Sequence, residues 1–139
     1  MKKQIKKIAF LTSGGDAPGM NAVIRAIVRS CVYNKIVPVA IHKGYDGLIN
    51  GSFEEMNARS VKGIINKGGT IIKTARSAKF RTKSGRKKAY NNLIENSVDA
   101  LIVVGGDGTF NGAYIFNKEF KIPVIGIPAT IDNDIFGTS

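Results

Sequence analysis

Gly105-Gly106-Asp107-Gly108-Thr109 sets one carboxylate among three glycines, directly after the strongly apolar run Ala100–Val104. Glycine amides and a threonine hydroxyl can hold a phosphate chain. A single carboxylate beside phosphate oxygens suits Mg²⁺, which keeps water and takes few protein ligands. The plain alternative is a strand-to-helix turn in which Asp107 caps the helix. That alternative leaves the flanking glycines without a reason. A second cluster, Gly14-Gly15-Asp16, follows the apolar run Lys7–Thr12 and precedes a helical pattern. Glycine lets a ligand approach the backbone closely, and the helix start that follows can attract an anion. The third cluster, Thr130-Ile131-Asp132-Asn133-Asp134, carries two carboxylates one residue apart. One of them could act as a general base, and Thr130 could bond a phosphate or hydroxyl. Taken alone, this segment reads first as an Asx turn with solvated acids; beside the other two clusters it does not.

The elements that position these clusters alternate. The pattern predicts strands at Lys7–Thr12, Val37–His42, Ala100–Val104 and Pro123–Ile127. It predicts helices from Asn21, as cap, to about Asn34, over Ser60–Asn66 with Gly68-Gly69 closing it, over Arg86–Asn96 and over Phe110–Asn117. Gly44, Gly47 and Gly51 read as an irregular loop, Thr70–Thr74 as a short extended segment, and Ser77–Gly85 as a mobile polar stretch. Apolar strands alternating with helices indicate a doubly wound α/β domain, Rossmann-like, with a mostly parallel sheet and helices on both faces. In such sheets ligands bind beyond the carboxyl ends of the strands. All three clusters follow strands, so they converge on one edge. No helix closes the sheet after Asp134, so the chain reads as a half of something longer.

Composition narrows the class. The chain has 139 residues, 43% hydrophobic and 22% charged, as expected of one packed domain. No apolar run approaches the ~20 residues of a membrane helix, and no secretory signal is apparent. Cys31 has no second cysteine to pair with, so a cytoplasmic location is expected. The net charge is +11, from 21 basic and 10 acidic residues. Between Met56 and Ile94 there is no Asp or Glu, and Arg59, Lys62, Arg76, Lys79, Arg81 and Arg86 all fall there. Anionic partners are implied, either phosphorylated small molecules or nucleic acid. The stretch lacks interleaved aromatics, Phe80 excepted, which disfavours a nucleic-acid-binding module. His42 has no second ligand at metal spacing. Cys31 belongs on the apolar face of its helix.

The segments SGGDAPGMNA (Ser13–Ala22), GGTIIKTAR (Gly68–Arg76), GGDGT (Gly105–Thr109) and GIPATIDNDI (Gly126–Ile135) together resemble bacterial ATP-dependent 6-phosphofructokinase, in that family's order and over nearly the whole chain. The resemblance implies the N-terminal, nucleotide-binding half of that fold, with residues 1–139 as one domain and a sugar-phosphate domain beyond it. It implies transfer of the ATP γ-phosphoryl group to the 1-hydroxyl of fructose 6-phosphate, in glycolysis, with Mg²⁺. By position, Gly14, Gly15, Arg76, Ser77, Gly106, Asp107, Gly108 and Thr109 would contact ATP, and Asp107 would bind the metal. Asp132 would be the catalytic base, assisted by Thr130 and Arg76. Thr130, Ile131, Asp132 and Asp134 would meet the sugar phosphate. ATP users carry glycine at Gly108 where pyrophosphate users carry aspartate; Ala129 matches neither the glycine of ATP users nor the lysine of pyrophosphate users. Arg25 and Arg29 match effector-site arginines for ADP or phosphoenolpyruvate, but Ala58 stands where a third is expected, with Arg59 one residue later. A solvated helix face explains Arg25 and Arg29 almost as well. The family is tetrameric, so the parent protein would be a homotetramer, and this half alone would be inactive. A pyrophosphate-dependent phosphofructokinase, or another GGDGT kinase such as an NAD or diacylglycerol kinase, is the alternative. The Thr130–Asp134 segment argues against the latter.

Overall fold

Four of the strands carry apolar residues at both parities, because both faces of the sheet are covered. The computed structural model describes residues 4–13, 19–63 and 77–129. The elements are β1 (Lys7–Thr12), α1 (Met20–Tyr33), β2 (Val37–Ile41), α2 (Gly44–Asn50), β3 (Phe53–Glu55), 3₁₀ turns at Ala58–Val61 and Lys79–Arg81, α3 (Lys83–Glu95), β4 (Ala100–Gly105), α4 (Asp107–Phe120) and β5 (Val124–Pro128). The sheet order is β3-β2-β1-β4-β5. All pairs are parallel except β2 with β3, in registers that set Ile8 beside Ala100 and Leu101 beside Val124. The doubly wound, mostly parallel expectation holds.

Alternation along each strand divides the core in two. Ala9, Leu11, Val39, Ile41, Leu101 and Val103 face α2, α3 and α4, where Leu48, Leu93 and Phe116 complete one core. Phe10, Ala40, Ile102 and Val104 face α1, where Met20, Ile24, Val28 and Cys31 complete the other. The apolar-face placement of Cys31 is therefore met, at 5% exposure. Among the described residues no helix is long and apolar enough to cross a membrane.

Four local expectations are corrected. The segment with Gly44, Gly47 and Gly51 is helix α2, not an irregular loop. Burial of Tyr45, Leu48 and Ile49 outweighs the low helix propensity of its glycines. Gly47 packs so closely on the His42 carbonyl that a Cβ would overlap it, and Gly51 ends the helix with φ +78°. The Asn92 side chain crosses from α3 and donates to the Leu48 and Ile49 carbonyls at 3.0 and 2.8 Å. Ser77–Gly85 is anchored, not mobile: Phe80 is 4% exposed, and Thr82 caps α3 by accepting from the Gly85 amide at 3.0 Å. α1 begins one residue before Asn21, at Met20, and Asn21 lies buried in its first turn instead of capping it. Where a helix was expected over Ser60–Asn66, the described residues form a 3₁₀ turn over Ala58–Val61, set by an Asn57–Ser60 capping box. Positions 64–66, Gly68-Gly69 and Thr70–Thr74 lie outside the described residues. β3 was not expected; three residues, two of them glutamates, give no strand period to read.

Candidate nucleotide site at the switch point

Chain direction reverses between β1 and β4: β1 leads outward through α1 to β2, and β4 leads the other way through α4 to β5. A crevice at the carboxyl ends of these two strands follows from that topology. The strands remain joined to the edge, where the Ser13 amide donates to the Val104 carbonyl at 2.8 Å. Both following helices start here. α1 begins after Gly19 and α4 after Gly106, and neither start has a side-chain cap. The first intrahelical bond of α4 is Phe110 N to the Gly106 carbonyl, 3.0 Å. The amides of Asp107, Gly108 and Thr109 thus precede the helical ladder and lie at its positive end.

The three glycines of Gly105–Thr109 differ in their reasons. A Cβ on Gly105 would overlap Thr109 Oγ1 and sit 2.7 Å from the Ser13 carbonyl, so packing alone requires glycine. Gly106 and Gly108 have no atom of the described residues within 4 Å of a Cβ. Gly106 has an ordinary extended backbone, and Gly108 lies inside α4, where glycine costs about 1 kcal/mol relative to alanine. Nothing in the described fold requires either. Asp107, the first residue of α4, is exposed between them. Thr109 closes the motif. It is 5% exposed, with its hydroxyl turned against Gly105, so it shapes the turn.

Ser77 is tied to the same turn through two side chains that the motifs do not contain, Tyr45 and Phe80. The buried Tyr45 hydroxyl donates to the Thr109 carbonyl at 2.6 Å, and burial pushes its pKa well up. The Tyr45 ring stacks on Phe80 at 4.0 Å, and both rest against α4 at Gly112. Ser77 accepts from the Phe80 amide at 3.3 Å and donates to Asp46 at 3.4 Å. Arg86 then holds the Phe80 carbonyl at 2.9 Å and clamps Glu119 of α4 with bonds of 2.6 and 3.0 Å. A Tyr and a Phe in glycine-rich or basic surroundings were the only signal for this support.

A second cationic cluster lies on the α1 side. Arg25, Arg29, Arg59, Lys62 and Ala58 line a cavity of about 310 Å³. The one-residue offset at Ala58 does not remove the third arginine, since Arg59 reaches the same cavity. His42 pairs with Glu54 at 2.7 Å. Gly14, Gly15, Arg76, Thr130, Ile131, Asp132 and Asp134 lie outside the described residues. The structure therefore brings together Gly106, Asp107, Gly108 and, through Tyr45 and Phe80, Ser77.

The family described as Phosphofructokinase matches residues 7–139. The chain is 52% identical over 134 residues to ATP-dependent 6-phosphofructokinase 2 of Bacteroides thetaiotaomicron, covering 96% of this chain and 41% of that protein. It is 53% identical over 134 residues to ATP-dependent 6-phosphofructokinase of Cytophaga hutchinsonii, with the same shares covered. The chain thus spans about 41% of the length of these relatives. Among solved structures, phosphofructokinase from Saccharomyces cerevisiae superposes with a TM-score of 0.88 at 39% identity, over 95% of this chain and 21% of that one. Pyrophosphate-dependent phosphofructokinase from Marinobacter aquaeolei superposes at 0.78 over 93% of this chain and 34% of that one, with 18% identity, a likeness of fold alone. With the switch-point turn, the sheet order and these matches in agreement, the chain belongs to the phosphofructokinase family.

Proposed function

We propose that this chain is the N-terminal, nucleotide-binding domain of an ATP-dependent 6-phosphofructokinase. A sugar-phosphate domain, within the share of its relatives beyond this chain, would complete the enzyme. The observation that carries the reading is the open space at Gly106 and Gly108, beside Asp107 and the uncapped start of α4. The amides of α4 would hold phosphate oxygens, with Gly14, Gly15, Arg76 and Ser77 as further contacts. Asp107 fits Mg²⁺ as a single exposed carboxylate: among the described residues no three His, Cys, Asp or Glu side chains gather, so phosphate and water would supply the other ligands. Mg²⁺, when bound, would neutralise charge on the transferring phosphate. Asp132 would accept the proton of the sugar 1-hydroxyl, with Thr130, Ile131 and Asp134 orienting the sugar phosphate. Arg76 would stabilise charge on the phosphoryl oxygens. Transfer would be direct and in line, driven by positioning. Ala129 supports ATP over pyrophosphate as donor. Its methyl is buried in the α1-side core and its amide donates to the Gly105 carbonyl at 3.0 Å, so no charge enters the site there. A cytoplasmic, homotetrameric enzyme of glycolysis follows from this reading.

The test uses the full-length protein with Mg²⁺, fructose 6-phosphate and either ATP or pyrophosphate, following fructose 1,6-bisphosphate. ATP should support turnover and pyrophosphate very little. The reverse would overturn the donor assignment. No product from either, with phosphorylation of NAD⁺ or diacylglycerol instead, would overturn the enzyme.

The Arg25, Arg29, Arg59 and Lys62 cavity favours a second reading at a different place, an anionic effector site for ADP or phosphoenolpyruvate. Among the described residues its four cations face no lining carboxylate, and a phosphate there would find charge-assisted donors. Arg29→Ala should weaken effector binding by about tenfold, as expected for one lost charge-assisted bond, and leave ATP affinity unchanged. Equal effector binding in the variant would place the effector elsewhere.

A further inference from the structure

Thr12 closes β1 completely buried, yet its Oγ1 has no hydrogen-bond partner among the described residues. Among the other buried polar side chains, Arg86 is bonded three times and Asn21 is engaged. An unpaired buried hydroxyl destabilises a fold, and valine would fill the same space without that penalty. A buried polar atom left unpaired calls for an explanation, and a partner that arrives with a ligand is one.

Its position names the ligand. Alternation puts Thr12 with Phe10 on the face that α1 covers. Its register partner on β4 is Val104, one residue before the Gly105 turn. The next residue, Ser13, directs its amide to Val104 and its carbonyl against Gly105. Thr12 therefore sits at the switch point itself, at the end of the strand that leads into α1 and one strand from the one that leads into α4. Both helix starts favour negative charge at this edge.

We propose that Thr12 is a nucleotide-positioning residue. Its hydroxyl is reserved for the bound state, where it donates to a phosphate oxygen at this edge or to a water held by that phosphate. The inference rests on the nucleotide reading of the switch point and adds a residue that no glycine motif contains. A hydrogen bond to an ionised oxygen is stronger than one to a neutral group, so the bound state recovers what the free fold forgoes.

The experiment compares Thr12→Val and Thr12→Ser in the full-length protein, with Gly108→Asp as a probe of the same site. Melting temperature is measured without ligand, and Mg·ATP affinity by calorimetry. Thr12→Val should melt no lower than the parent protein, while its Kd for Mg·ATP rises about tenfold, as for one lost bond to a charged group. Thr12→Ser, which keeps the hydroxyl, should bind within about threefold of the parent, well inside that tenfold step. A purely structural threonine would not weaken binding while sparing the fold. An unchanged Kd in Thr12→Val overturns the proposal. So does a Thr12→Val protein that fails to fold or melts several degrees lower, since the hydroxyl would then have its partner in the free protein. If the parent binds no nucleotide, the switch-point reading fails and takes this inference with it. If Gly108→Asp weakens binding and Thr12→Val does not, only the Thr12 inference fails.

Discussion

Gly108→Asp is expected to lower Mg·ATP affinity by about 100- to 1,000-fold and to leave the fold intact. Two unit charges about 4 Å apart at an effective dielectric of about 20 repel by about 4 kcal/mol, and solvent at an exposed site reduces this to about 3 kcal/mol. That converts to a little over a hundredfold in a dissociation constant. The fold should tolerate the change for two reasons visible in the turn. A Cβ at Gly108 meets nothing among the described residues within 4 Å, and position 108 lies in the first turn of α4, where an acid is stabilising by about 0.3–1 kcal/mol. The expected signature is therefore a melting temperature equal to or above the parent's, with nucleotide binding nearly lost. ATP affinity within threefold of the parent would move the phosphates away from α4. Gly105→Ala is the contrasting case, because its methyl would enter Thr109 and the Ser13 carbonyl and disturb the fold before any ligand arrives.

That contrast marks what the sequence could convey. β1 was legible to the residue, because Lys7–Thr12 is an apolar run stopped by a glycine turn. β4 was legible for the same reason, but the helix expected over Phe110–Asn117 begins three residues earlier, at Asp107, because glycine content hid its first turn. The three glycines of Gly105–Thr109 look alike in sequence, yet one answers to packing and two do not. The difference depends on Ser13 and Thr109, which only the folded sheet brings beside Gly105. α2 was missed because local glycine content outweighs local pattern, while its stability comes from Tyr45, Leu48 and Ile49 meeting distant strands and from Asn92 across 43 and 44 positions. The support beneath Ser77 was missed for a related reason. Tyr45, the Phe80–Arg86 segment and Glu119 are far apart in the chain, and a basic stretch of sequence does not reveal that one of its arginines is buried.

That arginine carries the second large effect, on stability instead of binding. Glu119→Gln is expected to destabilise the protein by about 2–4 kcal/mol near neutral pH. The Arg86 and Glu119 side chains are only 10% and 22% exposed, and removing one partner leaves a largely buried guanidinium without its counter-charge. Such losses reach about 3–5 kcal/mol when fully buried, and the partial exposure here lowers the figure. The pair is also pH-dependent in a defined direction. The hydrogen bonds from Arg86 hold the Glu119 carboxyl below the usual glutamate range against the opposing effect of burial, with the charges of Arg86 and Lys83 adding to the lowering. A carboxyl with a depressed folded-state pKa contributes stability that is fully present above its unfolded value, about 4.3, and is lost as pH falls through the folded value. The parent protein should therefore lose this contribution on acidification below about pH 4.3. Glu119→Gln should have a flatter profile there, so the gap between the two narrows as pH falls. Urea denaturation of both proteins at pH 7, 5, 4 and 3 measures it. A gap that stays constant with pH would mean that Glu119 acts through packing and not through its charge. A loss of hydrogen-exchange protection that spreads from α3 and α4 to the amides of Phe80, Tyr45 and Thr109 would trace how the clamp supports the turn it does not touch.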